Sequence, residues 1–298
     1  MAAENRSPAT PRGPRATDAQ AVAAEPGVRK PDALLVLDGV RRSFGGLAAV
    51  HVDHLEVQRG TITALIGPNG AGKTTLFNVV SGFDRADGGR WAFDGQPLAG
   101  RPAHTIARSG LVRTFQLTRT LSRLTVLENL LLAATPQRGE RLLPALLPPL
   151  WRGQERENEA RAGELLGRFR LGPLRDDFAG TLSGGQRKLL ELARALMVRP
   201  RMVLLDEPMA GVNPALTQSL LGHITQLRDE GMTVCFVEHD MDVVMGISDW
   251  VAVMAGGRLV AEGPPSAIGR NAAVVDAYLG KHHDEPEATG EEDESRDT

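Results

Sequence analysis

The sequence predicts an α/β fold, with a mostly parallel sheet covered by helices on both faces. Three observations carry that expectation. Short, almost purely apolar runs recur at Thr61–Gly67 (TITALIG), Arg201–Glu207 (RMVLLDE) and Met232–His239 (MTVCFVEH). Helical apolar periodicity fills Lys73–Ser81, Gln186–Val198 and Ala215–Glu230 between them. The first run also leads straight into the first helix through a glycine-rich loop, GPNGAGKTT.

Each element follows from its composition. A strand that is apolar at successive positions has no face to offer water, so both faces must be covered, as in a parallel sheet. Ligands are then expected beyond the C-terminal ends of the strands. The loop after the first strand fits G-x-x-x-x-G-K-[ST] at Gly67, Gly72, Lys73 and Thr74. Such glycines let backbone N–H groups turn inward around phosphate oxygens, while the lysine adds a point charge and the Thr74 hydroxyl can ligate Mg²⁺. Lysine is rare in this chain: only Lys30, Lys73, Lys188 and Lys281 occur, and one falls on the required position. The candidate phosphate-binding residues are therefore Gly67, Pro68, Asn69, Gly70, Ala71, Gly72, Lys73, Thr74 and Thr75.

The second apolar run ends in Asp206, a carboxylate able to hold Mg²⁺ through water, followed by Glu207, able to polarise an attacking water. His239 ends the third run, where the γ-phosphate of a ligand on the neighbouring strand should lie. A second cradle, LSGGQ, opens the helix after Leu182. Ser183, Gly184, Gly185 and Gln186 form a phosphate-binding helix N-terminus without a lysine.

Composition limits the alternatives. The chain has 298 residues, is 42% hydrophobic and 24% charged, and carries a net charge of −3, which gives no sign of nucleic-acid binding. Its single cysteine, Cys235, excludes an intrachain disulfide and reads as a buried thiol. No signal peptide is visible. The most apolar stretch, Asn129–Trp151, is broken by Arg138, Glu140, Arg141 and four prolines, short of the roughly 20 apolar residues of a spanning helix. The chain reads as soluble and cytosolic. Residues 1–32 and the acidic segment 282–298 show no hydrophobic period and are expected to be disordered tails around a domain at 33–281.

The order of motifs is P-loop, Gln116 in VRTFQL, LSGGQ, VLLDEP, AGVNP, VEHD. It resembles the ATP-binding subunit of ABC transporters over about residues 34–281. The resemblance implies a P-loop NTPase (RecA-like) core with a small antiparallel β subdomain and an α-helical subdomain at about 117–180. It implies ATP and Mg²⁺ as ligands, with two domains pairing head to tail. Each ATP would lie between one subunit's P-loop and the other's LSGGQ. Phe44 matches the aromatic that stacks on adenine, with a core phenylalanine as the lesser alternative. Gln116 matches a Mg²⁺- and water-sensing glutamine, so the metal set is Thr74, Gln116 and Asp206, and the catalytic set Glu207, His239 and Gln116. Asn213 occupies a position where many relatives have Asp.

The segments EPMAGVNP, VEHDMDVVMGISD and AEGPPSAIGRNAAVVDAYLG look like the LivG-type ATPases of branched-chain amino acid importers. ATPases of urea or amide importers and of lipopolysaccharide exporters share part of this, and a non-transport ABC ATPase or a plain P-loop kinase or switch is the more distant alternative. The implied partners are integral membrane permease subunits, a second ATPase (the same chain or a LivF-type relative) and, indirectly, a solute-binding protein; no nucleic acid is implied. The implied location is peripheral, on the cytoplasmic face of the cell membrane. The permease contact is expected around Leu121, Leu124, Val126 and Leu127.

Overall fold

The computed structural model describes residues 22–114, 121–135 and 151–279. β1 (Ala33–Phe44) and β2 (Leu47–Gln58) form an antiparallel hairpin. Its two-residue turn is Gly45–Gly46, with φ of 53° and 88°, the left-handed geometry a tight hairpin needs. β3 (Ile62–Ile66) runs into α1 (Lys73–Val80), followed by β4 (Gly88–Phe93), β5 (Gln96–Pro97), α2 (Ala103–Arg108) and β6 (Leu111–Arg113). The helical part comprises α3 (Val126–Ala133), α4 (Arg152–Arg168) and the start of α5 (Gly184–Met197). β7 (Met202–Asp206), α6 (Pro214–Asp229), β8 (Thr233–Val237), α7 (Met241–Ile247), β9 (Trp250–Ala255), β10 (Arg258–Gly263), α8 (Pro265–Ile268) and α9 (Ala272–Leu279) follow among the described residues.

The larger sheet has the order β10-β9-β3-β8-β7-β6, parallel except for the β10–β9 pair. A smaller antiparallel sheet, β2-β1-β4-β5, lies on one side of it. Alternation along the central strands divides the core in two. Ile62, Ala64 and Ile66, with Val203, Leu205, Val234 and Phe236, pack toward the helices α3 to α6. Leu65, Met202, Leu204, Cys235 and Val237 pack toward α1 and the antiparallel sheet. This is why these strands carry no polar face. Burial pushes the Cys235 thiol up to about 12, consistent with an inert core residue.

The helix starts follow capping chemistry. Thr125 and Glu128 form a reciprocal capping box on α3, and Asn213 caps α6 by accepting from the Leu216 N–H at 2.9 Å. An Asp at position 213 would cap in the same way.

One expectation fails. Residues 22–32 do not belong to a structureless tail. The Val28 N–H donates to Glu262 Oε1 at 3.0 Å, and the Lys30 N–H donates to Glu56 Oε2 at 2.6 Å. The Lys30 ammonium is buried, donating to the Glu56 carbonyl at 2.6 Å, pairing with Glu262 at 3.6 Å and lying 4.8 Å from the Trp250 ring centroid. The segment straps the antiparallel sheet to β10 through polar contacts, which hydrophobic periodicity cannot reveal.

Candidate nucleotide-binding site

β3 delivers the loop Gly67–Gly72 to the N-terminus of α1, and two glycines there are required by space as well as by dihedral. A Cβ on Gly67 (φ 146°) would stand 2.0 Å from the Met254 carbonyl oxygen, and one on Gly72 (φ 96°) 2.2 Å from that of Ala49. Gly72 is also the N-cap of α1 and offers no side-chain cap, so the first-turn N–H groups face the loop interior, as an anion site requires. Lys73 is folded into the loop, its Nζ donating to the Gly67 and Pro68 carbonyls at 2.6 and 3.0 Å.

These residues line an open cleft of about 690 Å³. Phe44, Ala49, Asn69, Gly70, Ala71, Gly72, Lys73, Thr74, Thr75, Glu207 and His239 form its walls. Phe44 is 48% exposed, which removes the core reading of that residue. Its ring carries the Arg42 guanidinium 4.4 Å from the centroid, and Arg42 is in turn held by Asp84 and Asp87.

β7 and β8 supply the acids. Asp206 is buried, and its Oδ2 accepts from Arg113 Nη2 at 2.7 Å. Its Oδ1 has no hydrogen-bond partner among the described residues. An orphaned carboxylate oxygen and the Thr74 hydroxyl in the cleft are the donors a P-loop Mg²⁺ uses, with phosphates and water completing the shell. The described residues fit the ion. Glu207 follows with φ 48°, and its Oε1 lies 2.8 Å from His239 Nε2. Gln116, the third catalytic candidate, lies outside the described residues.

The second cradle is not in this cleft. Ser183 caps α5, accepting from the Gln186 N–H at 3.3 Å, while Gln186 Oε1 accepts from the Ser183 N–H at 2.8 Å. Ser183 and Gly184 are exposed, and Gly185 is packed so closely that a Cβ would stand 1.7 Å from Leu216 Cδ2. The structure therefore brings together the P-loop, Phe44, Glu207 and His239, and leaves Ser183–Gln186 outside this cleft, with Ser183 and Gly184 exposed.

Sequence reasoning missed two residues. Arg113, closing β6, is the cation on Asp206. Its signal was a lone arginine at the end of an apolar strand. Glu238 is buried and accepts from the N–H groups of Met209 at 2.9 Å and His239 at 3.2 Å. Burial lifts its carboxyl above the ordinary glutamate value. It ties the end of β8 to the loop before α6.

A larger cleft of about 1040 Å³ lies between α2, β6, α3 and α5, lined by His104, Arg108, Leu132, Arg194 and Val198 among others. Of the residues expected to meet a permease, Leu121 is 41% exposed, Leu124 and Leu127 are half-buried and Val126 is buried in the core.

A P-loop closing a parallel strand, an acid pair at the end of β7 two strands away in the same sheet and an open cleft over the loop define a nucleotide-binding ATPase of the P-loop class. Residues 50–210 match the family model described as ABC transporter, and residues 258–284 match the model described as branched-chain amino acid ATP-binding cassette transporter. The chain belongs to the ABC transporter family, as an ATP-binding ATPase subunit. It is 42% identical over 254 residues to the probable branched-chain amino acid transport ATP-binding protein LivG of Archaeoglobus fulgidus, covering 85% of this chain and 98% of that protein. It is 43% identical to the high-affinity branched-chain amino acid transport ATP-binding protein BraF of Pseudomonas aeruginosa, covering 83% and 98%. Among solved structures it is similar to the ADP conformation of an ATP-binding cassette of an ABC transporter, with TM-score 0.72, 36% identity and coverage of 84% of this chain and 100% of that one. No helix among the described residues is long and apolar enough to cross a membrane.

Proposed function

We propose that the protein hydrolyses ATP at a head-to-tail dimer interface to drive the permease of a branched-chain amino acid importer, working peripherally at the cytoplasmic face of the membrane. The observation that carries this reading is the separation of the two cradles. The nucleotide cleft is lined by Asn69–Thr75 of the P-loop but by none of Ser183–Gln186, of which Ser183 and Gly184 are exposed at the start of α5. A second subunit, the same chain or a LivF-type relative, completes the site. The cargo follows from the match at residues 258–284 and from the names of the relatives.

The residues divide the work. ATP enters the cleft with its base against Phe44 and its phosphates in the loop, where the N–H groups at the start of α1 receive them. The Lys73 ammonium leaves the Gly67 and Pro68 carbonyls for the β- and γ-phosphates. Mg²⁺, when bound, neutralises phosphate charge, and Thr74, Asp206 and Gln116 are the residues that would hold it. Glu207 takes the proton of the attacking water. His239, bonded to Glu207, keeps that carboxylate turned into the cleft. Closure draws the two subunits together; the cleft between α2, α3 and α5 is the surface proposed to receive a permease segment, with the solute-binding protein acting only through the permease.

The test is the ATPase rate of the complex purified with its membrane subunits and binding protein. Leucine, isoleucine or valine should stimulate turnover; stimulation by urea alone would overturn the cargo.

A further inference from the structure

We infer that Arg113 is a positioning residue for Asp206: it holds one carboxylate oxygen so that only the other faces the metal, and it ties that geometry to the P-loop helix. The inference rests on the reading above that Asp206 meets Mg²⁺.

Arg113 ends β6, which pairs with β7 so that Arg113 lies opposite Leu204, two residues before Asp206. Its side chain and that of Asp206 are 3% and 1% exposed. The guanidinium uses its fork in two directions. Nη2 donates to Asp206 Oδ2 at 2.7 Å, and Nη1 donates to Asn78 Oδ1 at 2.5 Å and approaches Ser81 Oγ at 3.5 Å. Its centre also lies 5.8 Å from the Phe77 ring centroid. Phe77 and Asn78 belong to α1 and Ser81 is its C-cap, so one cation braces the helix that carries Lys73 and Thr74 against the strand that carries Asp206.

Fold stability alone does not call for this arrangement. A buried ion pair is often replaceable by apolar residues of the same volume without loss. What the pair provides is direction. With Oδ2 engaged, the carboxylate cannot rotate freely, and Oδ1 is the oxygen left without a partner among the described residues. Lysine would keep the charge but not the planar fork that reaches Asp206 and Asn78 together. The consequence is specific: losing the fork should weaken the metal-dependent part of nucleotide binding and leave the metal-free part unchanged.

The experiment measures affinity for the imido analogue of ATP by equilibrium dialysis, in Mg²⁺ and in EDTA, for wild type, Arg113→Lys, Asn78→Ala and Asp206→Asn. The readout is the ratio of the two affinities. Arg113→Lys should lower that ratio about tenfold, the low end of what outer-shell partners of metal ligands carry, with EDTA affinity within about twofold of wild type. Asn78→Ala removes the second anchor while leaving both members of the Arg113–Asp206 pair in place and should shift the ratio the same way by less; it decides the matter if Arg113→Lys does not fold. In an Asp206→Asn background, Arg113→Lys should have no further effect on the ratio. An unchanged ratio in folded Arg113→Lys, or an equal loss with and without Mg²⁺, would overturn the inference. If Asp206→Asn itself keeps the wild-type ratio, the metal role of Asp206 fails, and the inference with it. If Asp206→Asn loses the ratio while Arg113→Lys keeps it, only the role of Arg113 fails.

Discussion

Lys30→Met tests whether residues 22–32 are held as the structure describes. The Lys30 side chain is 1% exposed and its partner Glu262 0%. At 3.6 Å and an effective dielectric of about 20, the pair attraction is roughly 5 kcal/mol. Removing one partner of a buried pair costs about 3–5 kcal/mol, because the other charge is left uncompensated. For a domain of this size each kcal/mol is worth roughly 2–4 °C, so the variant should melt about 6–20 °C lower at pH 8.

The loss should depend on pH, and its sign is fixed by Glu262. Burial raises the Glu262 carboxyl above 4.5, and Lys30 is the largest influence pulling it back down. Without Lys30 it rises further. A carboxyl raised in the folded state contributes stability that is fully present below its unfolded value and lost as pH rises through the folded value. Lys30→Met should therefore be nearly as stable as wild type at pH 5 and most impaired at pH 8, read by urea unfolding at both. Adding Glu262→Gln should recover much of the loss at pH 8, since Glu262 then carries no stranded charge and Glu56 keeps His54 as a partner. A deficit of equal size at both pH values, or one that Glu262→Gln does not relieve, would refute the ion-pair account. No deficit at all would mean that residues 22–32 are not docked.

Glu207→Gln should retain ATP binding and slow hydrolysis by about 10²–10⁴-fold, the usual share of a general base; normal turnover would remove Glu207 from that role. Lys73→Ala should weaken nucleotide binding, and Ser183→Arg should block only the cradle offered to a partner. Each alone should be inactive, and mixing the two should restore some hydrolysis, because one site regains an intact P-loop and an intact LSGGQ. Full turnover by a monomeric Ser183→Arg protein would sink the shared site.

What the sequence disclosed was whatever depends on neighbours in the chain. The strands Thr61–Gly67, Arg201–Glu207 and Met232–His239 and the helices after them agree with β3, β7, β8, α1, α5 and α6 to within a few residues. Each pattern is set by local burial on one or both faces. The P-loop was legible for the same reason: its glycines, lysine and threonine are consecutive, and the phosphate geometry is built by the backbone at that point. Residues 22–32 were illegible because polar contacts anchor them, one of them across 234 residues. Arg113 was illegible because its meaning lies in Asp206 and Asn78, which only the sheet order brings to it.

The same distinction explains how two cradles in one chain can be coupled. Successive residues of a strand point to opposite faces, so Asp206 and Glu207 in regular β geometry would diverge. Glu207 leaves that geometry with φ 48°, while its N–H still donates to the Val237 carbonyl at 3.0 Å, so the sheet register survives and the side chain turns to His239. A non-glycine residue held there stores roughly 1–3 kcal/mol and persists only where its surroundings determine it. Part of those surroundings is Lys188, whose Nζ donates to the Glu207 carbonyl at 3.3 Å. Lys188 stands on α5, a little over one turn beyond Ser183. On the shared-site reading, the helix that offers its N-terminus to the partner's ATP also steadies the strained residue at its own. A shift of α5 on engaging a second nucleotide would reach Glu207 through one hydrogen bond, without any need for a longer path.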